Sequence, residues 1–186
     1  MKKFLTELAQ RPTECLTKVL EEKKLSYAFC GYALGVISLY FAIKLTTQNE
    51  AFLSGFFFTF LFWFFLNVIF NFILAAISHL LLEFSGEKSK AIGMFILLGI
   101  SQLFLTLLVP WCLIARAANQ IAFLTPLMVL AVLCMQIYFV LTAMQKVYGL
   151  SKASALLAFI GSVILPVVCG FCLMIFLIGM IITLIA

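Results

Sequence analysis

Residues 51–82 contain no Asp, Glu, Lys or Arg, and the one titratable group in those 32 positions is His79. A hydrocarbon core about 30 Å thick is crossed by roughly 20 apolar residues in a helix rising about 1.5 Å per residue. At that rise the run measures roughly 48 Å, enough for one tilted crossing and an extension past the interface. A helix buried inside a water-soluble domain does not account for such a run.

The rest of the chain follows the same rule. Of its 186 residues 66% are apolar and 10% charged, against roughly 25% charged in soluble domains, so lipid is the solvent. The apolar runs are continuous and lack the alternation of lipid-facing strands, which excludes an outer-membrane barrel. Five charge-free runs, the first ending at Ile43, are each long enough to span, which gives spans at about residues 25–44, 52–82, 91–115, 120–145 and 153–185. The breaks between them are short and polar, which forces antiparallel neighbours. The expected fold is all-α: an integral membrane bundle of five transmembrane helices over 25–186, preceded by a short amphipathic interfacial helix within 1–24.

That first segment carries Lys2, Lys3, Arg11, Lys18, Lys23 and Lys24 among Glu7, Glu14, Glu21 and Glu22. Glu7, Gln10 and Arg11 interrupt any signal-peptide core and no small-residue cleavage site follows, so the N-terminus is expected to be retained. Pro12 suits a helix start. Leu16, Val19 and Leu20 then fall on one face with Lys18, Glu21 and Glu22 turned away, a pattern that lies along headgroups.

Basic residues set the orientation. The N-terminal segment, the loop with Lys88 and Lys90 and the loop with Lys146 and Lys152 place ten Lys and Arg on one side. Lys44 and Arg116 are the two on the other, so the N-terminus is expected in the cytoplasm and the C-terminus outside. With no polar tail at Ala186, soluble surface is expected on the cytoplasmic side alone. The net charge of +5 sits beside spans, where anionic headgroups rather than nucleic acid are the partner.

The last apolar run contains Pro166 with Gly161, Gly170 and Gly179, and reads as one kinked span, because a turn in lipid has no support here. Gly31-x-x-x-Gly35 predicts close packing of the first span on another helix of the same chain. The phenylalanines from Phe52 to Phe65, with Trp63, read as lipid-facing bulk.

Catalytic patterns are missing. No His-Glu pair has zinc spacing, no glycine-rich loop leads into a helix with Lys, and no Ser-His-Asp set is visible, so neither an enzyme nor a cofactor is expected. His79 reads as an interfacial hydrogen-bonding group. Cys15, Cys30, Cys112, Cys134, Cys169 and Cys172 read as packing residues, the Cys169-x-x-Cys172 pair included, since its neighbours are too apolar to stabilise thiolates.

Polar residues inside the spans carry more information. Asn67, Asn71 and Ser78 share a face within about 40° at 100° per residue, and Gly99, Gln102 and Thr106 share one within about 60°. With Thr125 and Gln136 on the fourth span they predict a polar seam between spans two, three and four (candidate residues Asn67, Asn71, Ser78, Gln102, Thr106 and Gln136). No Asp, Glu, Lys or Arg lies mid-span, which argues against ion- or proton-coupled transport.

Three stretches together resemble a known family. They are Ala75-Ala76-Ile77-Ser78-His79 through Glu83-Phe84-Ser85-Gly86-Glu87-Lys88-Ser89-Lys90, then Leu108-Val109-Pro110, then Gln145-Lys146-Val147-Tyr148-Gly149-Leu150-Ser151-Lys152-Ala153. In order and spacing they resemble Yip-domain proteins, the Ypt/Rab-interacting five-pass membrane proteins, over nearly the whole chain. Departures are Ser85-Gly86, where many members show two glycines, and the short N-terminal region. The resemblance implies vesicle traffic, association with related membrane proteins as homo- or hetero-oligomers and, in eukaryotic members, small-GTPase binding at the endoplasmic reticulum and Golgi. The short N-terminal region favours a prokaryotic member in the cell (inner) membrane.

Two functions are expected from this. The first is a non-enzymatic scaffold or adaptor presenting Glu83, Glu87, Lys88, Lys90, Lys146, Tyr148 and Lys152 to protein or lipid partners. The second is a small permease, channel or lipid-moving protein that uses the polar seam.

Overall fold

The computed structural model describes residues 12–22, 24–47, 56–86 and 90–185. Every regular element among them is helical: α1 (Pro12–Glu21), α2 (Leu25–Thr47), α3 (Phe56–Phe84), α4 (Ala91–Ser101), a 3-10 segment (Gln102–Leu107), α5 (Leu108–Ala117), α6 (Ile121–Tyr148) and α7 (Lys152–Ile185). Five helices are long and apolar enough to cross a bilayer: α2, α3, the α4–α5 unit, α6 and α7. In lipid a helix satisfies its own backbone, which is why continuous apolar runs fold this way. The chain is a multi-pass, five-helix membrane bundle, as its charge-free runs require.

Span ends follow from local chemistry. Thr46 Oγ1 donates to the Ala42 carbonyl at 2.5 Å and Thr47 Oγ1 to that of Ile43 at 3.0 Å, covering acceptors that the end of α2 would leave orphaned. Gly149 ends α6 at φ 68°, and Gly86 follows α3 at φ 77° with its N–H on the Glu83 carbonyl at 3.0 Å. Both need the left-handed region that glycine enters without a Cβ clash. Ser151 starts α7 as a cap, its Oγ accepting the Ser154 N–H at 3.0 Å.

The third span departs from the expected uninterrupted helix. Pro110 has no N–H for the Thr106 carbonyl and its ring crowds that oxygen, so the preceding turns tighten to 3-10 geometry over Gln102–Leu107. Ser101 Oγ on the Leu98 carbonyl and Thr106 Oγ1 on the Leu103 carbonyl, both at 2.7 Å, bracket the change. At 3.0 residues per turn, Gln102 and Thr106 stand roughly 120° apart rather than the roughly 40° of an α-helix. They therefore share no single face. In the last span, by contrast, α7 runs through Pro166 as one helix.

Spans two to five form a ring in which α3 packs on α4, the third span on α6, α6 on α7 and α7 on α3, while α2 lies along the third span and against α3. The ring interior is filled by Leu74, Ala75 and Leu82 of α3, Met94–Leu98 of α4, Val140, Ala143 and Met144 of α6, and Ala155 and Ala158 of α7. A second cluster joins Ala42, Leu108, Cys112 and Val132 toward the other end. Phe56, Phe60 and Phe64 stack along α3 with centroids 6.0 and 5.7 Å apart, Phe56 meeting Tyr40 and Phe41 of α2. Phe57, Phe58, Phe62, Trp63 and Phe65 point outward, so lipid-facing bulk describes one side of that phenylalanine run and span packing the other.

The tightest joint is between α2 and α4. A Cβ on Gly31 would overlap the Gly99 carbonyl oxygen, and one on Gly99 would lie 2.6 Å from the Ala28 Cα. Gly35 faces Gln102 and Leu105 less closely, a Cβ there coming within 3.1–3.3 Å of them, so Gly31-x-x-x-Gly35 serves packing within one chain. Tyr32, fully buried beside it, donates its hydroxyl to the Phe95 carbonyl at 2.8 Å. Gly31→Ala and Gly99→Ala are each expected to destabilise the bundle by about 1–3 kcal/mol in detergent-titration unfolding, the range for overpacking. Gly170→Ala, inside α7 at a position with nothing within 4 Å, is expected not to lower the midpoint, since Ala favours a helix interior by about 0.5–1 kcal/mol over Gly.

Candidate functional site

Two groups of residues could carry function: the polar side chains along the spans and the basic end of the bundle. The polar set does not form one seam. Asn71 and Ser78 lie on the inward stripe of α3 with Leu74, Ala75 and Leu82, each 5% exposed. Asn71 Nδ2 donates to both the carbonyl oxygen (2.9 Å) and the side-chain Oδ1 of Asn67, one turn earlier on the same helix. Gln136 of α6 donates Nε2 to the Ser101 carbonyl at 3.2 Å, joining the third and fourth spans. The half-buried Gln102 rests its stem against Gly35 of α2 instead. Since α3 and α6 do not pack substantially on one another among the described residues, Asn67 and Asn71 belong to a different interface from Gln136.

Sequence reading passed over three further buried polar residues, Ser38, Ser101 and Ser162, at 7%, 3% and 1% exposed. Ser162 Oγ donates to the Phe159 carbonyl at 2.7 Å. A small hydroxyl that bonds three residues back looks like any other small residue in an apolar run, so only burial identifies it. Thr125, expected to join the seam, has its Oγ1 buried without a hydrogen-bond partner among the described residues. These bonds are largely local, each satisfying a polar group buried within the spans.

The basic end is built differently. In α1, Cys15, Leu16 and Val19 are 7%, 2% and 5% exposed and belong to the same core cluster as Met94 and Met144. The amphipathic helix is therefore docked on the ends of the third and fourth spans, with Glu14, Thr17 and Lys18 turned to the outside. Lys90, Lys146, Lys152 and Glu83 are exposed around the same end. Glu87 and Lys88 lie outside the described residues, as do residues 1–11 and Lys23. Beyond α1, Glu22 and Lys24 pair on the surface, and their hydrogen bond holds the carboxyl below and the ammonium above its ordinary range.

Tyr148 has a different place from the surface role expected of it. It is half-buried, its hydroxyl sits over Gly93 so closely that a Cβ there would overlap it, and that hydroxyl has no hydrogen-bond partner among the described residues. The ring packs against the core cluster to which Leu16 and Val19 of α1 belong, where the apolar side of a tyrosine is worth more than its polar tip. His79 Nε2 lies 3.7 Å from Glu83 Oε2, one turn on, near the end of α3. Cys15 and Cys112 are buried as packing residues, whereas Cys134, Cys169 and Cys172 face outward, because α6 and α7 turn those positions to lipid. No cluster of three metal-ligating side chains occurs among the described residues.

No family model, curated protein or solved structure matches this chain.

Tyr148→Phe is expected to equal or exceed the parent in unfolding midpoint, because a buried unpaired hydroxyl costs about 1–3 kcal/mol. A surface role for Tyr148 would instead leave stability untouched and alter binding. In a background without native cysteines, Lys18→Cys, Lys90→Cys and Lys152→Cys are expected to react with a membrane-impermeant maleimide from one side of sealed vesicles, and Arg116→Cys from the other.

Proposed function

We propose that this chain is a non-enzymatic membrane scaffold that presents a basic face on the cytoplasmic side to acidic protein segments and anionic headgroups. The observation that carries the reading is the docking of α1. Its apolar stripe is buried in the bundle, so Lys18 is held in fixed relation to Lys90, Lys146 and Lys152 rather than on a loose tail. A preordered set of cations binds with less entropy lost than a flexible segment would. Each basic residue near an anionic surface contributes roughly 1 kcal/mol, screened within a Debye length of about 8 Å at physiological ionic strength.

The order of the loops, resembling Yip-domain proteins, supports the same reading, with the endoplasmic reticulum and Golgi or a bacterial inner membrane as its setting. Association with related membrane proteins, and with a small GTPase in a eukaryotic setting, belongs to that proposal. Permeation along a seam has less support, since the side chains that would line it divide between interfaces.

A photoreactive amino acid in place of Lys18 or Lys152 tests the scaffold in native membranes. Discrete protein adducts are expected, and they should fall about tenfold or more in a Lys90→Ala/Lys146→Ala background, where roughly 2 kcal/mol of attraction is removed. Adducts with lipid alone, or protein adducts indifferent to both substitutions and salt, would sink the scaffold reading.

A further inference from the structure

At the end of the bundle opposite α1, a cleft of about 600 Å³ opens between α2 and α3. Val36, Tyr40 and Lys44 form one wall, and Thr59, Trp63 and Asn67 stand on the other. From Val36 to Lys44 the helix rises about 12 Å, and from Thr59 to Phe70 about 16 Å. That is roughly half of a hydrocarbon core about 30 Å thick, so the cleft occupies one leaflet and no more. Its outer end is marked by Lys44, whose ammonium lies 5.7 Å from the centre of the Tyr40 ring. Its inner end is at Asn67, near the middle of α3.

The dimensions choose among occupants. A transmembrane helix from a second copy or another protein runs through both leaflets, whereas the cleft extends through one. An extended hydrocarbon chain has the length of one leaflet, which matches that of the cleft. Lining side chains such as Leu39, Ile43 and Leu66 are apolar and open toward the bilayer. A lysine at an interface reaches its ammonium toward the headgroups while its stem stays in the apolar wall.

From these features we propose that the cleft seats one acyl chain of an anionic glycerophospholipid, its phosphate paired with Lys44. The chain then runs inward between α2 and α3 past Trp63 and ends near Asn67. This site lies apart from the basic face and does not depend on its function.

The chain carries two tryptophans, Trp63 in the cleft and Trp111 elsewhere on the third span, so Trp111→Phe leaves a single fluorophore at the site. The Trp111→Phe protein, reconstituted in phosphatidylcholine vesicles, is titrated with phosphatidylglycerol brominated at mid-chain, and separately with phosphatidylcholine brominated at the same carbons. Phosphatidylglycerol is expected to quench Trp63 with an apparent affinity about fivefold higher than phosphatidylcholine, the effect of one basic residue on an anionic headgroup. Lys44→Gln should bring the two lipids to parity, Lys44→Arg should keep the preference, and Arg116→Gln should leave it unchanged. Lys90→Ala/Lys146→Ala should also leave it unchanged, which separates this site from the basic face. Equal quenching in the parent, or a preference that survives Lys44→Gln, overturns the proposal. A preference lost in Arg116→Gln overturns it as well. Helical circular dichroism of each variant, matched to the parent, shows that any loss comes from the site and not from unfolding.

Discussion

Lipid gives two apolar helices no reason to prefer each other over acyl chains, so a bundle must be held by contacts that lipid cannot make. In this protein that contact is the approach of α2 to α4 at Ala28, Gly31 and Gly99, close enough that a methyl group on either glycine would collide with backbone. Tyr32 adds a hydrogen bond to the Phe95 carbonyl at the same level. With α2 fixed along the third span, the third span becomes the helix on which α2, α3 and α6 all pack. The ring of spans two to five and the lateral cleft between α2 and α3 both follow from that placement.

Polar groups within the bundle serve the same end. Asn71 bonds back to Asn67, and Ser101, Thr106 and Ser162 each bond a carbonyl three residues earlier. Such bonds satisfy a group that would cost several kcal/mol bare in hydrocarbon, without requiring a partner on another helix. Gln136 reaches further, to the Ser101 carbonyl, beside the turns that Pro110 tightens. A distorted stretch leaves carbonyls that straight helices keep covered, and a long amide is the side chain able to meet one.

The two ends of the bundle differ in chemistry. At one end a docked amphipathic helix and the exposed Lys90, Lys146 and Lys152 make a rigid cationic face. At the other, Lys44 stands at the mouth of an apolar cleft one leaflet deep. Tyr148 illustrates the economy of the arrangement, since its ring packs against the core cluster while the neighbouring Lys146 and Lys152 are exposed.

Much was determined by the order of residues alone. Charge-free runs demand helices in lipid whatever their neighbours, because backbone polarity has to be met within each span; the five spans followed directly, and so did the helical face of Leu16 and Val19. The glycine pair in the first span also announced a close joint, though not its partner. What the tertiary structure alone decided is which helix meets which. Apolar sequences in lipid carry little information about pairing, since any greasy face is at ease against acyl chains. Hence a seam drawn through Asn71, Gln102 and Gln136 by angular arithmetic dissolved once α3 and α6 were kept apart and Pro110 changed the turn angle between Gln102 and Thr106. The inward turn of Tyr148, the burial of Ser162 and the cleft beside Trp63 are likewise consequences of packing, because each depends on the distance between two helices and not on the residues of either one.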